Sequence, residues 1–116
     1  MTFSFVEITD DFAVSAQLSP ADLADLARHG FRSVINNRPD GEGGPSQPKD
    51  AELRAAAEAH GIFYAHLPVP GMQFDERAVM RMRALVGELP KPTLAFCRTG
   101  NRSAGLYRAA HPELQG

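Results

Sequence analysis

Blocks of apolar residues along this chain alternate with polar, helix-like stretches. Alternating or β-branched patterns predict two strands at 2–8 and 12–16, joined by a polar turn at Asp10 and Asp11. Mostly apolar runs predict three more strands at 31–35, 62–67 and 93–96. An opening hairpin followed by alternating helices and strands predicts one α/β domain over residues 1–116. Its central sheet is expected to be mostly parallel and flanked by helices.

Capping residues and leucine spacing place the helices between these strands. Ser19 is expected to be the N-cap of the first helix, with Pro20 at the first helical position and Gly30 as the stop. Met72, Met80 and Met82 are expected to pack in the core. The four helices are predicted at 20–29, 49–60, 75–89 and 104–110.

Composition narrows the functional classes. The 116 residues carry a net charge of −2, and such a chain has no basic surplus for binding nucleic acid. One cysteine cannot form an internal disulfide, and no apolar run approaches the roughly 20 residues of a membrane helix. We therefore expect a cytoplasmic protein with neither a membrane nor a nucleic-acid partner. No Cys/His cluster has ligand spacing, so no metal and no cofactor are predicted.

The single cysteine, Cys97, lies where the last predicted strand ends. Gly100, Arg102 and Ser103 follow it before the helix predicted to begin at Ala104. Backbone N–H groups of such a strand–loop–helix turn bind anions and lower a thiol pKa. A lone cysteine after a buried strand is more often an inert apolar residue, but this spacing favours a nucleophile. The residues expected to hold the anion beside it are Arg98, Thr99, Gly100 and Asn101.

The loop Cys97–Ser103 resembles the active-site loop of rhodanese-type sulfurtransferases and, slightly less closely, the signature of cysteine-dependent phosphatases. Gln17–Ser19 and Val34–Glu42 extend the likeness, which covers nearly the whole chain. Together they are similar to the phosphatase-like domains of the beta-lactamase hydrolase-like proteins. The resemblance implies a dual-specificity-phosphatase-like fold. It also implies persulfide metabolism and a sulfur dioxygenase partner, because some relatives are fused to such an enzyme.

Two departures from the phosphatase pattern distinguish the possible reactions. Phe96 stands where phosphatases usually have histidine, and four residues instead of five separate Cys97 from Arg102. The shorter loop favours a sulfane sulfur over a phosphoryl group. Phosphoester cleavage also needs a general acid. The candidate is Asp75, but the preference of aspartate for helix N-caps is the stronger explanation of this residue.

The sequence thus favours a sulfurtransferase that acts through a Cys97 persulfide on thiosulfate or a small persulfide. Arg102 would stabilise the persulfide, and Ser103 would hydrogen-bond the thiolate. A phosphatase with a phosphocysteine intermediate is the alternative. A third possibility is an anion-binding or sulfur-carrier module that serves a partner dioxygenase.

A second polar cluster follows the strand predicted at 31–35. Arg38 in this cluster is expected to pair with Asp40 or Glu42, or to contact the substrate. Asn36 and Asn37 precede it, so the cluster is expected to frame the mouth of the pocket.

Overall fold

The computed structural model describes residues 3–115, which form a single α/β domain. Five strands and four α-helices alternate after an opening pair of strands, and a short 3-10 helix follows at Pro112–Gln115. The strands are β1 (Val6–Thr9), β2 (Phe12–Ser15), β3 (Ser33–Asn36), β4 (Phe63–His66) and β5 (Thr93–Phe96). The helices are α1 (Asp22–Arg28), α2 (Asp50–Ala59), α3 (Glu76–Glu88) and α4 (Asn101–Ala110).

The five strands form one sheet in the order β1-β2-β5-β3-β4. β1 and β2 are the antiparallel pair of the predicted hairpin, and every other neighbouring pair is parallel. The last residues of the four parallel strands are in register, because Ser15 pairs with Phe96, Phe96 with Asn36, and Asn36 with His66. The chain therefore leaves all four parallel strands at one edge of the sheet, where α/β sheets place their sites.

Helices cover both faces of this sheet. Strand residues alternate in direction, so Leu94 and Phe96 of β5 face α1 and α2, whereas Ala95 between them faces α3 and α4. β5 is buried along its whole length in the middle of the sheet. The residue that follows β5, Cys97, is consequently held between two packed layers.

The first helix begins later than its sequence predicts. Ser19 is not its N-cap: α1 starts at Asp22, and the N-cap residue Ala21 makes no side-chain capping bond. Instead, the Asp22 carboxylate accepts a hydrogen bond from the Ser19 backbone N–H at 2.8 Å. The first strand also differs, since β1 starts at Val6, and the predicted start at Thr2 lies outside the described residues.

The last helix begins earlier than predicted, at Asn101 instead of Ala104. Gly100, with φ of +99°, is its N-cap and gives the sharp turn out of the Cys97 loop. Arg102 and Ser103 therefore lie in the first turn of α4, where the helix fixes their direction relative to Cys97.

The prediction that three methionines pack in the core is wrong for two of them. Met82 is fully buried, but Met72 and Met80 are 56% and 64% exposed. Met72 lies outside any helix. Met80 projects from the solvent-exposed face of α3, and the spacing of apolar residues in this helix does not show that Met80 lies on that face and not on the buried one. Within residues 3–115, no helix has both the length and the apolar content needed to cross a membrane.

Replacing Leu94 by alanine tests how far the fold depends on β5. Leu94 is 0% exposed between the two neighbouring parallel strands. We expect Leu94→Ala to lower the free energy of unfolding by about 2–5 kcal/mol, because truncation leaves a cavity. Urea denaturation measures this. The matched control is Val6→Ala on edge strand β1, where the side chain is 63% exposed, and a comparable loss there would contradict the packing described.

Candidate active site

Four chain segments, including the Cys97 loop, meet at the carboxyl edge of the sheet. The segment after β2 is tied to the Cys97 loop, because Gln17 N–H donates to Arg98 O at 3.3 Å. The segment after β3 is tied to β5 by the bond from Asn37 N–H to Phe96 O at 2.8 Å. Val69 N–H, after β4, donates to Asn37 O at 3.0 Å. The backbone itself thus assembles the site.

Cys97 is 0% exposed and its sulfur lies inside the turn that leads into α4. Burial alone would raise the pKa of the thiol. Hydrogen bonds from the backbone N–H groups of Ser103, Thr99 and Gly100, and from the Ser103 hydroxyl, outweigh it and lower the pKa. The Gly100 N–H lies 3.1 Å from Cys97 Sγ. The loop therefore favours the thiolate, which is the nucleophilic form of cysteine.

The Ser103 hydroxyl is buried between the cysteine and an asparagine. Its Oγ lies 2.8 Å from Asn37 Oδ1, and Asn37 Nδ2 donates to Leu67 O at 2.9 Å. This second bond fixes the amide so that its oxygen faces Ser103. The hydroxyl has one proton, so it donates either to Asn37 or to the Cys97 sulfur at any moment. Asn37 thereby holds Ser103 within reach of the thiolate.

Arg102 forms a bidentate ion pair with Glu42. Arg102 Nη1 lies 2.7 Å from Glu42 Oε2, and Nη2 lies 2.6 Å from Oε1. Arg102 Nη1 also donates to Val69 O at 2.8 Å. Arg38 reaches the same carboxylate with Nε at 2.8 Å from Oε1, which confirms its predicted pairing with Glu42. The side chains thus form a row of alternating charge that ends at the thiolate. Its members are Arg38, Glu42, Arg102 and Cys97.

The ionisation of this row follows from its contacts. The hydrogen bond from Arg102, helped by that from Arg38 and opposed by burial, lowers the pKa of Glu42 to about 2. The hydrogen bond from Glu42, together with the attraction and hydrogen bonding of Cys97, raises the pKa of Arg102. Glu42 is thus a permanent carboxylate near neutral pH and cannot serve as a proton donor.

Asp75 lies at the N-terminus of α3. Its Oδ1 accepts a hydrogen bond from Ala78 N–H at 2.7 Å, so it is the helix cap that its sequence position suggested. The segment before it packs on α4: a Cβ built on Gly105 would lie 3.1 Å from Met72 Cε and 3.3 Å from Phe74 Cε2. The missing side chain at Gly105 lets this segment approach α4 closely. Asp75 follows Phe74 directly.

The other predicted loop residues lie at the surface. Arg98, Thr99 and Asn101 are exposed and border a groove of about 550 Å³ next to Arg102. Gly100 is buried, and a Cβ on it would lie 3.2 Å from Ser15 O. Among the described residues, no three His, Cys, Asp or Glu side chains come together as metal ligands.

The contacts of Glu42 and Asn37 with the Cys97 loop were not predicted. Asn37 was assigned only to the pocket mouth, and Glu42 to that mouth and to pairing with Arg38. Glu42 contacts Arg102 across 60 positions of sequence and Asn37 contacts Ser103 across 66. A sequence signal exists for both. Asn37 comes directly after β3 as Cys97 comes directly after β5, and Glu42 belongs to the loop that leaves the same end of β3.

Replacing Glu42 by glutamine is expected to change how stability depends on pH. The folded pKa of Glu42 is about 2 against an ordinary 4.5. A lowered pKa stabilises the fold fully above the unfolded value, and this contribution is lost as pH falls from about 4.5 to about 2. Glu42→Gln should therefore lower the unfolding temperature at neutral pH and flatten its decline in acid. Thermal unfolding from neutral pH to about pH 2 measures this. Parallel curves for the two proteins would contradict the ion pair.

Replacing Gly100 by alanine is expected to disturb both the fold and the thiol. The positive φ should cost about 1–2 kcal/mol, and the contact with Ser15 O should shift the loop and raise the pKa of Cys97. Gly61→Ala is the matched control, because Gly61 also has a positive φ, +71°, but open space around its Cβ position. The absorbance of the single thiolate against pH measures the outcome. A raised thiol pKa in both variants, or in neither, would contradict the loop geometry.

Comparison with known proteins places this site in a family. A family model described as beta-lactamase hydrolase-like protein, phosphatase-like domain, matches residues 4–112. The beta-lactamase hydrolase-like protein of Agrobacterium fabrum is 35% identical over 102 residues, which are 88% of this chain and 23% of that protein. The chain thus spans about a quarter of the length of the curated relatives it matches.

Solved structures agree with this assignment. A putative phosphatase from Neisseria meningitidis is 34% identical, with a TM-score of 0.81 over 88% of this chain and 72% of that one. A putative phosphatase from Shewanella putrefaciens, 17% identical, is similar in fold alone, with a TM-score of 0.78 over 96% of this chain and 69% of that one. The predicted phosphatase-like α/β fold is confirmed. The chain belongs to the family of the beta-lactamase hydrolase-like protein, phosphatase-like domain.

Proposed function

We propose that this chain is a cysteine-dependent phosphatase that cleaves small anionic phosphoesters. The observation that carries the proposal is the position of the Cys97 sulfur inside the turn into α4, where Gly100 N–H lies 3.1 Å from Sγ and Arg102 lies in the first turn of the same helix. The N–H groups of Ser103, Thr99 and Gly100 lower the pKa of this thiol against the effect of burial. That set stabilises a thiolate and, around it, the oxygens of a tetrahedral anion. The likeness to a putative phosphatase at 34% identity supports phosphate over sulfur as the group transferred.

The reaction would proceed by double displacement at Cys97. The thiolate attacks phosphorus, an S–P bond forms, and the bond from phosphorus to the ester oxygen breaks. The leaving alkoxide takes one proton from a general acid. Water then gives a proton to the deprotonated general acid and attacks phosphorus, so that a P–O bond forms, the S–P bond breaks, inorganic phosphate leaves and the thiolate is regenerated. Loop N–H groups stabilise the negative oxygens of both transition states.

Arg102 must bind substrate while it stays paired with Glu42. Its two Nη atoms already contact Glu42 and Val69 O, and Cys97 is 0% exposed. Entry of a phosphate therefore requires the loop around Cys97 to open, while Glu42 and Arg38 hold the Arg102 guanidinium in place. Glu42 and Arg38 act in this proposal as positioning residues for Arg102.

Asp75 is the proposed general acid. It lies next to the segment that packs on Gly105 of α4, one turn beyond Arg102. In the present structure its carboxylate caps α3. Asparagine caps a helix as well as aspartate does but cannot donate the proton, so substitution separates the two roles.

Sulfur transfer is the second candidate, and the four-residue spacing between Cys97 and Arg102 favours it. In that reaction the thiolate attacks the outer sulfur of thiosulfate, an S–S bond forms and sulfite leaves unprotonated. A thiol or cyanide then takes the sulfur. A general acid is not needed, so the capping role of Asp75 would be its whole role. A dioxygenase partner, or a sulfur-carrier role beside one, stays a prediction.

Parallel turnover of phenyl phosphate and thiosulfate tests both candidates. For the phosphatase, we expect Cys97→Ser to abolish phosphate release. Asp75→Asn should lower kcat for phenyl phosphate by about 10²–10⁴, because the phenoxide leaves without a proton. Unfolding temperatures should match, since the cap is retained.

If the chain is a sulfurtransferase, the same two substrates should give the opposite result. If sulfite release from thiosulfate depends on Cys97 and is unchanged in Asp75→Asn, the proposed phosphatase activity is wrong and the chain is a sulfurtransferase. The mass of the intact protein after incubation identifies the intermediate, as a phosphoryl group or one sulfur atom on Cys97. Activity in Cys97→Ser equal to that of the unsubstituted chain would overturn both.

A further inference from the structure

We propose that His66 is a positioning residue for the loop that carries Arg38 and Glu42, and that it holds this loop fully only when its imidazole is protonated. This inference rests on the proposed function, because the same loop holds Arg102, the arginine that would bind the substrate phosphate. We call the side chains that enclose the Arg38 backbone, together with that backbone, the polar ring. Its members are Asn36, Arg38, Asp50, Tyr64 and His66.

Five contacts close the polar ring. Arg38 N–H donates to Asn36 Oδ1 at 2.8 Å, and Asn36 Nδ2 donates to the Tyr64 hydroxyl at 2.9 Å. Tyr64 in turn donates to Asp50 Oδ1 at 2.7 Å. His66 Nδ1 lies 3.4 Å from the same Asp50 oxygen, and His66 Nε2 lies 2.9 Å from Arg38 O. The ring therefore holds both the N–H and the carbonyl of Arg38.

The direction of each hydrogen bond follows from the protons available. The Arg38 backbone N–H can only donate, so the Asn36 amide turns its oxygen to Arg38 and its nitrogen to Tyr64. The Tyr64 hydroxyl accepts that bond and gives its one proton to Asp50. Burial, together with the bond to Asp50, raises the pKa of Tyr64, so the phenol stays protonated near neutral pH.

His66 faces an acceptor at each of its two ring nitrogens. Arg38 O and the Asp50 carboxylate can both accept a proton but cannot donate one. A neutral imidazole has one N–H and satisfies one of these acceptors, whereas an imidazolium donates to both. The separation of 3.4 Å from Asp50 is that of an ion pair, so this contact depends on charge on the imidazole. The polar ring is thus complete only when His66 is protonated.

The charged and titratable groups described around His66 come from α2, from the loop after β3 and from β4 itself. They are Asp50, Arg54, Arg38, Asp40 and Tyr64. Asp50 attracts the imidazolium directly. Arg54 Nη2 lies 3.8 Å from Asp50 Oδ1 and competes for it, but 43% of the Arg54 side chain is exposed, against 18% for His66. Water therefore screens the competing cation more than it screens the imidazolium.

The Arg38 side chain links the polar ring to the active site. Its Nε donates to Glu42 at 2.8 Å and its Nη1 to Gln17 at 3.0 Å. A Cβ built on Gly43 would lie 2.7 Å from Arg38 Nη2, so the guanidinium is enclosed on that side as well. A shift of the Arg38 backbone would therefore move Glu42, which pairs with Arg102 through both carboxylate oxygens.

Nuclear magnetic resonance of the Cys97→Ser protein tests this link without turnover and without the titration of the thiol. The pKa of Glu42 is about 2, so its carboxyl carbon does not itself titrate between about pH 5 and pH 9 and reports on its neighbours there. We expect the Glu42 carboxyl-carbon signal to shift with the same pH midpoint as the ring signals of His66. His66→Gln should remove the shift. The matched control, His60→Gln at the exposed end of α2, should retain it.

Two results of this titration would overturn the proposal. One is a His66 that keeps a single protonation state across the whole pH range. The other is a Glu42 signal that stays constant while His66 titrates, or that still shifts in His66→Gln.

Substitution of Asp50 tests the same link with His66 in place. Asp50→Asn retains an oxygen for Tyr64 but removes the negative charge opposite His66. We expect the midpoints of the His66 and Glu42 signals to move together to lower pH. Glu58→Gln, an exposed residue of the same helix, should leave both midpoints unchanged. Midpoints that separate in Asp50→Asn, or that move equally in Glu58→Gln, would contradict the positioning role.

Turnover supplies a readout that a merely structural role of His66 would not change. The ratio of kcat/KM for phenyl phosphate between the unsubstituted chain and His66→Gln cancels the titrations of substrate and thiol that both proteins share. We expect this ratio to be about tenfold at about pH 5.5, the scale of one hydrogen bond, and to approach one at about pH 8. A ratio that does not change with pH would overturn the pH-dependent positioning.

The two kinds of measurement separate this inference from the proposed function. If hydrolysis depends on Cys97 but the Glu42 signal does not follow His66, the positioning role is wrong and the phosphatase stands. If no phosphoester is hydrolysed but the two signals share one midpoint, the positioning role stands and the phosphatase is wrong.

Discussion

The ion pair between Glu42 and Arg102 is the interaction on which the arrangement of the site depends. Only 11% of the Arg102 side chain is exposed, and a buried guanidinium without a partner would be costly. Glu42 pairs with it bidentately and is itself held by Arg38. Arg38 Nη1 in turn donates a hydrogen bond to Gln17 Oε1 at 3.0 Å. Segments after β2, β3 and β5 are thereby joined through side chains as well as through backbone. The cation that faces Cys97 is fixed before any substrate arrives.

Local patterns predicted much of the fold and the centre of the site. Strand β5 was predicted with the bounds observed, because Thr93–Phe96 is an isolated apolar run between a proline and the cysteine. Asp75 was predicted as a cap and is one. Cys97, Gly100 and Arg102 lie within six residues of one another, so their proximity follows from a single turn and could be derived without knowledge of the rest of the chain.

Features that depend on distant contacts could not be derived in this way. The pairing of Glu42 with Arg102 requires the register that aligns β3 with β5, and sequence spacing does not specify that register. The early start of α4 depends on Gly100 adopting a positive φ against Ser15, a residue of another strand. Met72 lies in a loop, so no periodicity in the sequence indicates which way its side chain points. The end of that side chain contacts Gly105 of α4, where the lack of a side chain leaves room for it.

Burial of the sulfur also bears on oxidation. A cysteine with a lowered pKa is readily converted to sulfenic acid by peroxide, and proteins commonly recover it through a disulfide with a second cysteine. The 116 residues contain no second cysteine. The cover over Cys97 is therefore the barrier that this domain itself provides against over-oxidation, and a sulfenic acid formed beneath it can be reduced through a disulfide only if a thiol from outside these residues reaches the loop.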